Sequence, residues 1–97
     1  MPSEDTIPAN SRGAHDDAPL VTGLNALVWT LETPARAQRL LDLTGLTPEI
    51  LRAGATDPAI LGALLDFLAS HEPDLIACAE AIGVTPTDLI RAREALQ

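Results

Sequence analysis

Few side chains in this 97-residue sequence are suited to chemistry, and His71 is the first candidate because Glu72 follows it directly. A neighbouring carboxylate can support proton transfer by a histidine, so this pair is the one candidate for acid–base catalysis. Adjacent residues before a proline more often form the start of a helix, and Pro73 comes next. We therefore favour the structural interpretation of this pair.

Cys78 is the only cysteine, so it cannot form a disulfide within the chain. It lies between two alanines in an apolar stretch, which is typical of a buried structural thiol rather than a nucleophile with a base beside it. His15 lies near the N-terminus, far in sequence from His71, and no Glu-x-x-His motif occurs. The sequence predicts no enzyme activity, no metal site and no cofactor.

Two segments resemble each other and raise the question of nucleic-acid binding: "TGLTPEILRAG" (44–54) and "IGVTPTDLIRA" (82–92). The second has the spacing of a helix-turn-helix, so a DNA-binding regulator using residues 73–97 is the alternative function, with Arg91 and Arg93 as candidate DNA contacts. Asp88 and Glu94 in the same region cancel these two charges. Shared helix-capping chemistry is the simpler explanation of the repetition.

The composition also argues against a polyanionic partner. There are 14 acidic and 6 basic residues, giving a net charge of -8, and every basic residue is arginine. No apolar stretch reaches the roughly 20 residues of a membrane span, and the N-terminus lacks the pattern of a secretory signal. We therefore predict a cytoplasmic protein that does not bind membranes, and we favour a protein partner over nucleic acid.

The first 18 residues are rich in polar and charged side chains, and we predict a disordered acidic tail over 1–18. Residues 19–97 are predicted to form one all-α domain, a compact bundle of five to six short helices. Proline after Thr, Asp or Glu is typical of a helix start, and five such pairs occur. The predicted helices cover 19–31, 34–43, 48–53, 58–70, 73–82 and 86–96.

Three stretches of this domain resemble a bacterial family of small helical proteins, the domain-of-unknown-function family 3572. They are "LLDLTGLTPEILRA" (40–53), "DPAILGALLDFLASHEPDLIACAEAIGVTP" (57–86) and "RAREAL" (91–96). The "LASHEP" segment (68–73) is the most particular of these. The resemblance implies a small cytosolic helical protein and supplies no catalytic or ligand-binding residues.

The first and fourth predicted helices are apolar on nearly all sides, which is more apolar surface than one small core is expected to cover. We therefore predict a protein-interaction or self-associating module whose partner is another protein or a second copy. Two faces are candidates for the surface, one on each helix: Leu24, Leu27, Val28 and Trp29, or Leu64, Phe67 and Leu68. Trp29 would be the anchor of the first face, unless it belongs to the core.

Overall fold

A computed structural model describes residues 18–97, and all regular structure in this part of the chain is helical. Helix α1 covers 18–31 and is followed by five shorter helices: α2 (Pro34–Thr44), α3 (Pro48–Ala53), α4 (Pro58–Ala69), α5 (Glu72–Ile82) and α6 (Pro86–Leu96). The all-α prediction is confirmed. The predicted tail lies outside the described residues except for Ala18, which is already helical and so belongs to the domain.

Proline stands in the first turn of each helix from α2 to α6, as the sequence predicted. Thr47 and Asp57 cap α3 and α4 by accepting hydrogen bonds from backbone N–H groups. At α6, the Thr85 hydroxyl accepts from the Asp88 N–H at 3.0 Å and the Asp88 carboxylate accepts from the Thr85 N–H at 2.9 Å. These two hydrogen bonds form a capping box and lower the pKa of Asp88.

Helix α5 begins one residue earlier than predicted. Glu72 is the first residue of α5 rather than its cap, and His71 occupies the N-cap position without a side-chain hydrogen bond to the helix. Glu72 and Asp74 instead bring negative charge to the first turn, where the helix dipole favours it. Helices α2 and α5 are each followed by a glycine in the left-handed conformation, Gly45 with φ of 75° and Gly83 with φ of 81°.

Helix α4 forms the centre of the bundle and packs against α2, α5 and α6. Its side chains are covered on most of its circumference, which explains why its sequence is apolar on nearly all sides. Leu64, Phe67 and Leu68 are 0%, 6% and 0% exposed. These three residues therefore do not form the exposed face that was predicted for the fourth helix.

Two ion pairs connect neighbouring helices on the surface. The Arg39 guanidinium donates to the Asp74 carboxylate at 2.6 Å and joins α2 to α5. Arg93 donates to Asp66 at 3.1 Å and joins α6 to α4. In the described part of the chain, no helix is long and apolar enough to span a membrane.

Candidate interaction surface

Helix α1 attaches to the bundle through one buried face. That face carries four buried residues at helical spacing: Gly23, Ala26, Leu27 and Thr30. The Thr30 hydroxyl donates to the Ala26 carbonyl at 2.8 Å, so this buried polar group is satisfied. No charged side chain occurs in 18–31. The solvent side of α1 therefore lacks the charged residues that normally cover the outer face of a surface helix.

The solvent side of α1 instead carries a row of aliphatic side chains spaced three, four and three residues apart. We call this row the α1 seam, and it consists of Val21, Leu24, Val28 and Leu31. Val21 and Val28 are 54% and 53% exposed, and Leu31 is 43% exposed, while Leu24 is half-buried. At 1.5 Å per residue, the seam runs for about 15 Å along the helix. Its spacing is that of the a and d positions of a coiled coil.

Beside the seam, an apolar groove of about 400 Å³ opens between α1, α2 and α3. It is lined by Leu24, Leu27, Val28, Leu31, Ala37, Leu41, Pro48, Leu51, Arg52 and Ala55. Leu27 and Leu51 are buried beneath it, and Arg52 is its one charged lining residue. In contrast, the hollow beside the start of α4 contains the carboxylates of Asp57 and Asp66. The groove and the seam together form a continuous aliphatic surface, because Leu24, Val28 and Leu31 belong to both.

The structure divides the predicted α1 face into two groups. Leu24 and Val28 lie on the seam, and Leu27 lies beneath the groove. Trp29 lies on another flank of α1, where it packs against the hydrophobic core and lines a hollow with Ile82 of α5. The Arg36 guanidinium carbon covers its ring at 3.6 Å from the ring centroid. Trp29 is therefore engaged within the chain.

Cys78 is buried within α5, and no side chain among residues 18–97 forms a hydrogen bond with its thiol. Removal from water raises the pKa of the Cys78 thiol to about 11, although the nearby Arg36 charge acts in the opposite direction. The thiolate fraction at neutral pH is therefore very small. This environment is that of a structural thiol, as the alanines on both sides of Cys78 in the sequence indicate.

The imidazole of His71, the candidate for acid–base chemistry, has Asp74 rather than Glu72 as its carboxylate neighbour. His71 Nε2 lies 3.7 Å from the Asp74 carboxylate, and the same carboxylate oxygen accepts the short hydrogen bond from Arg39. The His71 side chain is half exposed at the start of α5. Among residues 18–97, no three His, Cys, Asp or Glu side chains are grouped so that they could hold a metal ion.

The two arginines proposed as DNA contacts have different surroundings. Arg93 is held by Asp66 of α4, so its charge is already compensated within the protein. Arg91 is exposed and lies close to the start of α1, beside Pro19 and Thr22. Asp88 occupies the first turn of α6, which in a helix-turn-helix would approach the bases.

Sequence reasoning missed the contacts made by Arg36 and the groove between α1, α2 and α3. Trp29 and Arg36 are seven positions apart in the sequence. This separation is only a weak indication of contact, because many residue pairs in neighbouring helices have a similar separation. No sequence pattern indicates the groove, because its lining residues come from three helices whose packing the sequence does not reveal. The seam could have been found from its spacing alone, since its residues are separated by three, four and three positions.

The fold and this surface define a small all-α protein with an aliphatic face on its first helix. Residues 16–97 match the model of a family described as "Protein of unknown function (DUF3572)", and the chain belongs to this family. The resemblance found in the sequence is thereby confirmed. Comparison with curated proteins and with solved structures gave no significant match.

Proposed function

We propose that this chain is a cytoplasmic, non-catalytic docking module that binds another protein through the α1 seam and the adjoining apolar groove. The main support for this proposal is the row of exposed aliphatic side chains on α1. This helix has no charged residue, although the chain has a net charge of -8. Single exposed aliphatic residues are ordinary, but a contiguous row beside an apolar groove is typical of a binding surface. A partner of matching chemistry would present an amphipathic helix, which is how such grooves are commonly filled.

One exposed aliphatic residue outside the seam, Ile76, supports this assignment by contrast. Ile76 on α5 is 44% exposed, close to the value for Leu31, yet exposed charged residues precede and follow it in its own helix. Leu31, in contrast, lies next to the other aliphatic residues of the seam and the groove. The two residues therefore form a matched pair for testing whether aliphatic exposure alone, or the continuous surface, is responsible for binding.

The test places a photo-crosslinking amino acid at Leu31, or in a second variant at Ile76, in cells that make the full chain. The proposal predicts discrete adducts from position 31 and much weaker ones from position 76. Leu31→Gln and Ile76→Gln variants, each carrying the crosslinker at Val28, form the control, and only the first should lose the adduct. Equal labelling from positions 31 and 76, or none from either, would contradict the proposed surface.

A further inference from the structure

We infer that the partner enters the groove as an acidic amphipathic helix, with its apolar side on the aliphatic lining and a carboxylate beside the Arg52 guanidinium. This inference rests on the proposed function and names the chemistry of the partner. It is carried by two features of the groove: the form of its lining and the single positive charge at its edge.

The form of the lining suits a helix. On each of α1, α2 and α3 the lining residues recur every three or four positions, so each helix presents one face to the groove. The α1 part of the lining extends from Leu24 to Leu31, which is about 10 Å along the helix axis. This length accommodates about two turns of a partner helix, whose apolar residues at i, i+3 or i+4, and i+7 would meet the lining.

Arg52 belongs to the face of α3 that lines the groove. It comes four positions after Pro48 and three before Ala55, and all three residues line the groove. Its neighbour in the sequence, Leu51, is buried, whereas Arg52 is exposed. The guanidinium therefore lies at the edge of the aliphatic lining, where a docked helix would have a polar side chain.

The other arginines of residues 18–97 are engaged within the bundle. Arg39 and Arg93 form ion pairs with carboxylates of neighbouring helices, and Arg36 stacks on a tryptophan ring. Arg91 lies near the carboxylate that caps its own helix. Within this part of the chain, Arg52 forms no ion pair, so its charge is available to a partner.

Two glutamates adjoin lining residues in the sequence but do not line the groove. Glu49 is in the first turn of α3, and Glu32 lines the separate hollow beside Trp29. Neither of them is ion-paired with Arg52. The lining itself therefore carries one positive charge, although the chain has a net charge of -8. Net charge alone would favour a basic partner, whereas this groove favours an acidic residue at one point.

Docking creates the need for a carboxylate. A helix that fills the groove removes water from one side of the Arg52 guanidinium, and a charge that loses water needs a new hydrogen-bond acceptor. A carboxylate supplies one and also compensates the charge. A basic side chain would be repelled at this point, and an apolar one would leave the guanidinium without a partner. Because Arg52 lies at the edge of the surface, the pair should contribute more to specificity than to affinity.

Photo-crosslinking from position 31 of the full chain in cells tests the role of this charge. Arg52→Gln should reduce the adduct about three- to tenfold, and Arg52→Lys, which keeps the charge, should restore most of it. Arg91→Gln removes the same charge from α6 and should leave the adduct unchanged. Arg52 also lies in the last turn of α3, where the helix dipole favours a cation, so circular dichroism of each purified variant should confirm an unchanged helical content.

The outcomes separate this inference from the proposed function. An undiminished adduct in folded Arg52→Gln would overturn the acidic partner and leave the docking surface intact. The absence of any adduct from the chain with native Arg52 would contradict both.

Mass spectrometry of the crosslinked peptide identifies the class of partner. The adduct should lie in a segment of another protein whose apolar residues recur every three or four positions, with an aspartate or glutamate beside them. A crosslink to residues 1–17, to a second copy of this chain or to a segment without an acidic residue would overturn the inference.

A charge exchange then tests the contact directly. A synthetic peptide of the crosslinked segment should bind the purified chain, and replacing its acidic residue by arginine should weaken binding about three- to tenfold. Arg52→Glu should restore most of the affinity for the replaced peptide, because the two charges have changed places. Independent effects of the two substitutions would overturn the pairing with Arg52.

Discussion

The Arg36 guanidinium covers the face of Trp29 at 3.6 Å, and its Nη2 donates a hydrogen bond of 2.6 Å to the carbonyl oxygen of the same residue. One side chain of α2 thus contacts both the ring and the backbone near the end of α1. Cation–π stacking and a charge-assisted hydrogen bond act together to fix α2 against α1. Because α1 and α2 both line the groove, this contact fixes two of its walls relative to each other.

Trp29→Ala is expected to lower the free energy of unfolding by about 2 to 4 kcal/mol, since the substitution removes a large side chain packed on the core and the platform of Arg36. Urea denaturation followed by far-ultraviolet circular dichroism measures this change. Leu31→Ala, on the exposed seam, should cost less than about 1 kcal/mol. Equal costs for the two variants would contradict the placement of Trp29 in the core.

The two helical glycines buried in the bundle should respond differently to alanine. At Gly62, an added Cβ would lie 3.7 Å from its nearest neighbours, in ordinary contact distance. Gly62→Ala should therefore raise the free energy of unfolding by about 0.5 to 1 kcal/mol through the higher helix propensity of alanine.

At Gly23 the added Cβ would lie 3.1 Å from the Leu61 Cβ, which is fixed to the backbone of α4. Gly23→Ala must push α1 away from α4, and we expect a net loss of stability of about 1 to 2 kcal/mol. Thermal unfolding of the two variants side by side tests this difference. A gain of similar size in both would show that α1 packs less closely than described.

Cys78 should resist thiol reagents in the folded protein. With a pKa of about 11 instead of 9.0, its thiolate fraction at pH 8 falls about a hundredfold, and burial slows attack further. Iodoacetamide labelling with and without urea, read by mass spectrometry, measures the ratio. Fast labelling of the native chain at pH 8 would contradict the buried position.

The same shift predicts how stability depends on pH. The folded state holds the Cys78 proton more tightly than the unfolded state, so this contribution to stability is fully present below about pH 9. It is lost as the pH rises through 9 toward 11. A Cys78→Ala variant should lose this component of the alkaline dependence while keeping the contributions of the other groups.

Binding to DNA should be absent. Five arginines and ten carboxylates occur in 18–97, and Arg93 is already paired with Asp66. Fluorescence anisotropy with random duplex DNA at about 50 mM salt should show no binding, although nonspecific electrostatic attachment is strongest under such conditions. Binding that weakens steeply with salt and disappears in Arg91→Ala would instead support the helix-turn-helix alternative.

The helix boundaries could be predicted because their signals are local. Most of the interactions that start α6 come from Thr85, Pro86 and Asp88. The left-handed conformation of Gly83 ends α5. The exposed face could not be chosen with the same certainty. Helices α1 and α4 both look apolar on nearly all sides, and only the packing of α2, α5 and α6 around α4 shows which of them is covered.

The side-chain partners were beyond prediction for a related reason. Arg39 and Asp74 are 35 positions apart, and the chain offers several acidic residues that an arginine could contact. Glu72 is the carboxylate adjacent to His71 in the sequence, whereas in the structure the Asp74 carboxylate lies 3.7 Å from the imidazole. Long-range pairs of this kind follow from the packing of helices, which a single sequence does not specify.

The most direct measurement is photo-crosslinking in cells from position 31 of the α1 seam, compared with position 76 on α5, which is exposed to a similar degree. We predict discrete adducts from position 31 and much weaker ones from position 76, because only position 31 belongs to the continuous aliphatic surface. Equal labelling from the two positions, or none from either, would contradict the central claim that a protein partner docks on the α1 seam.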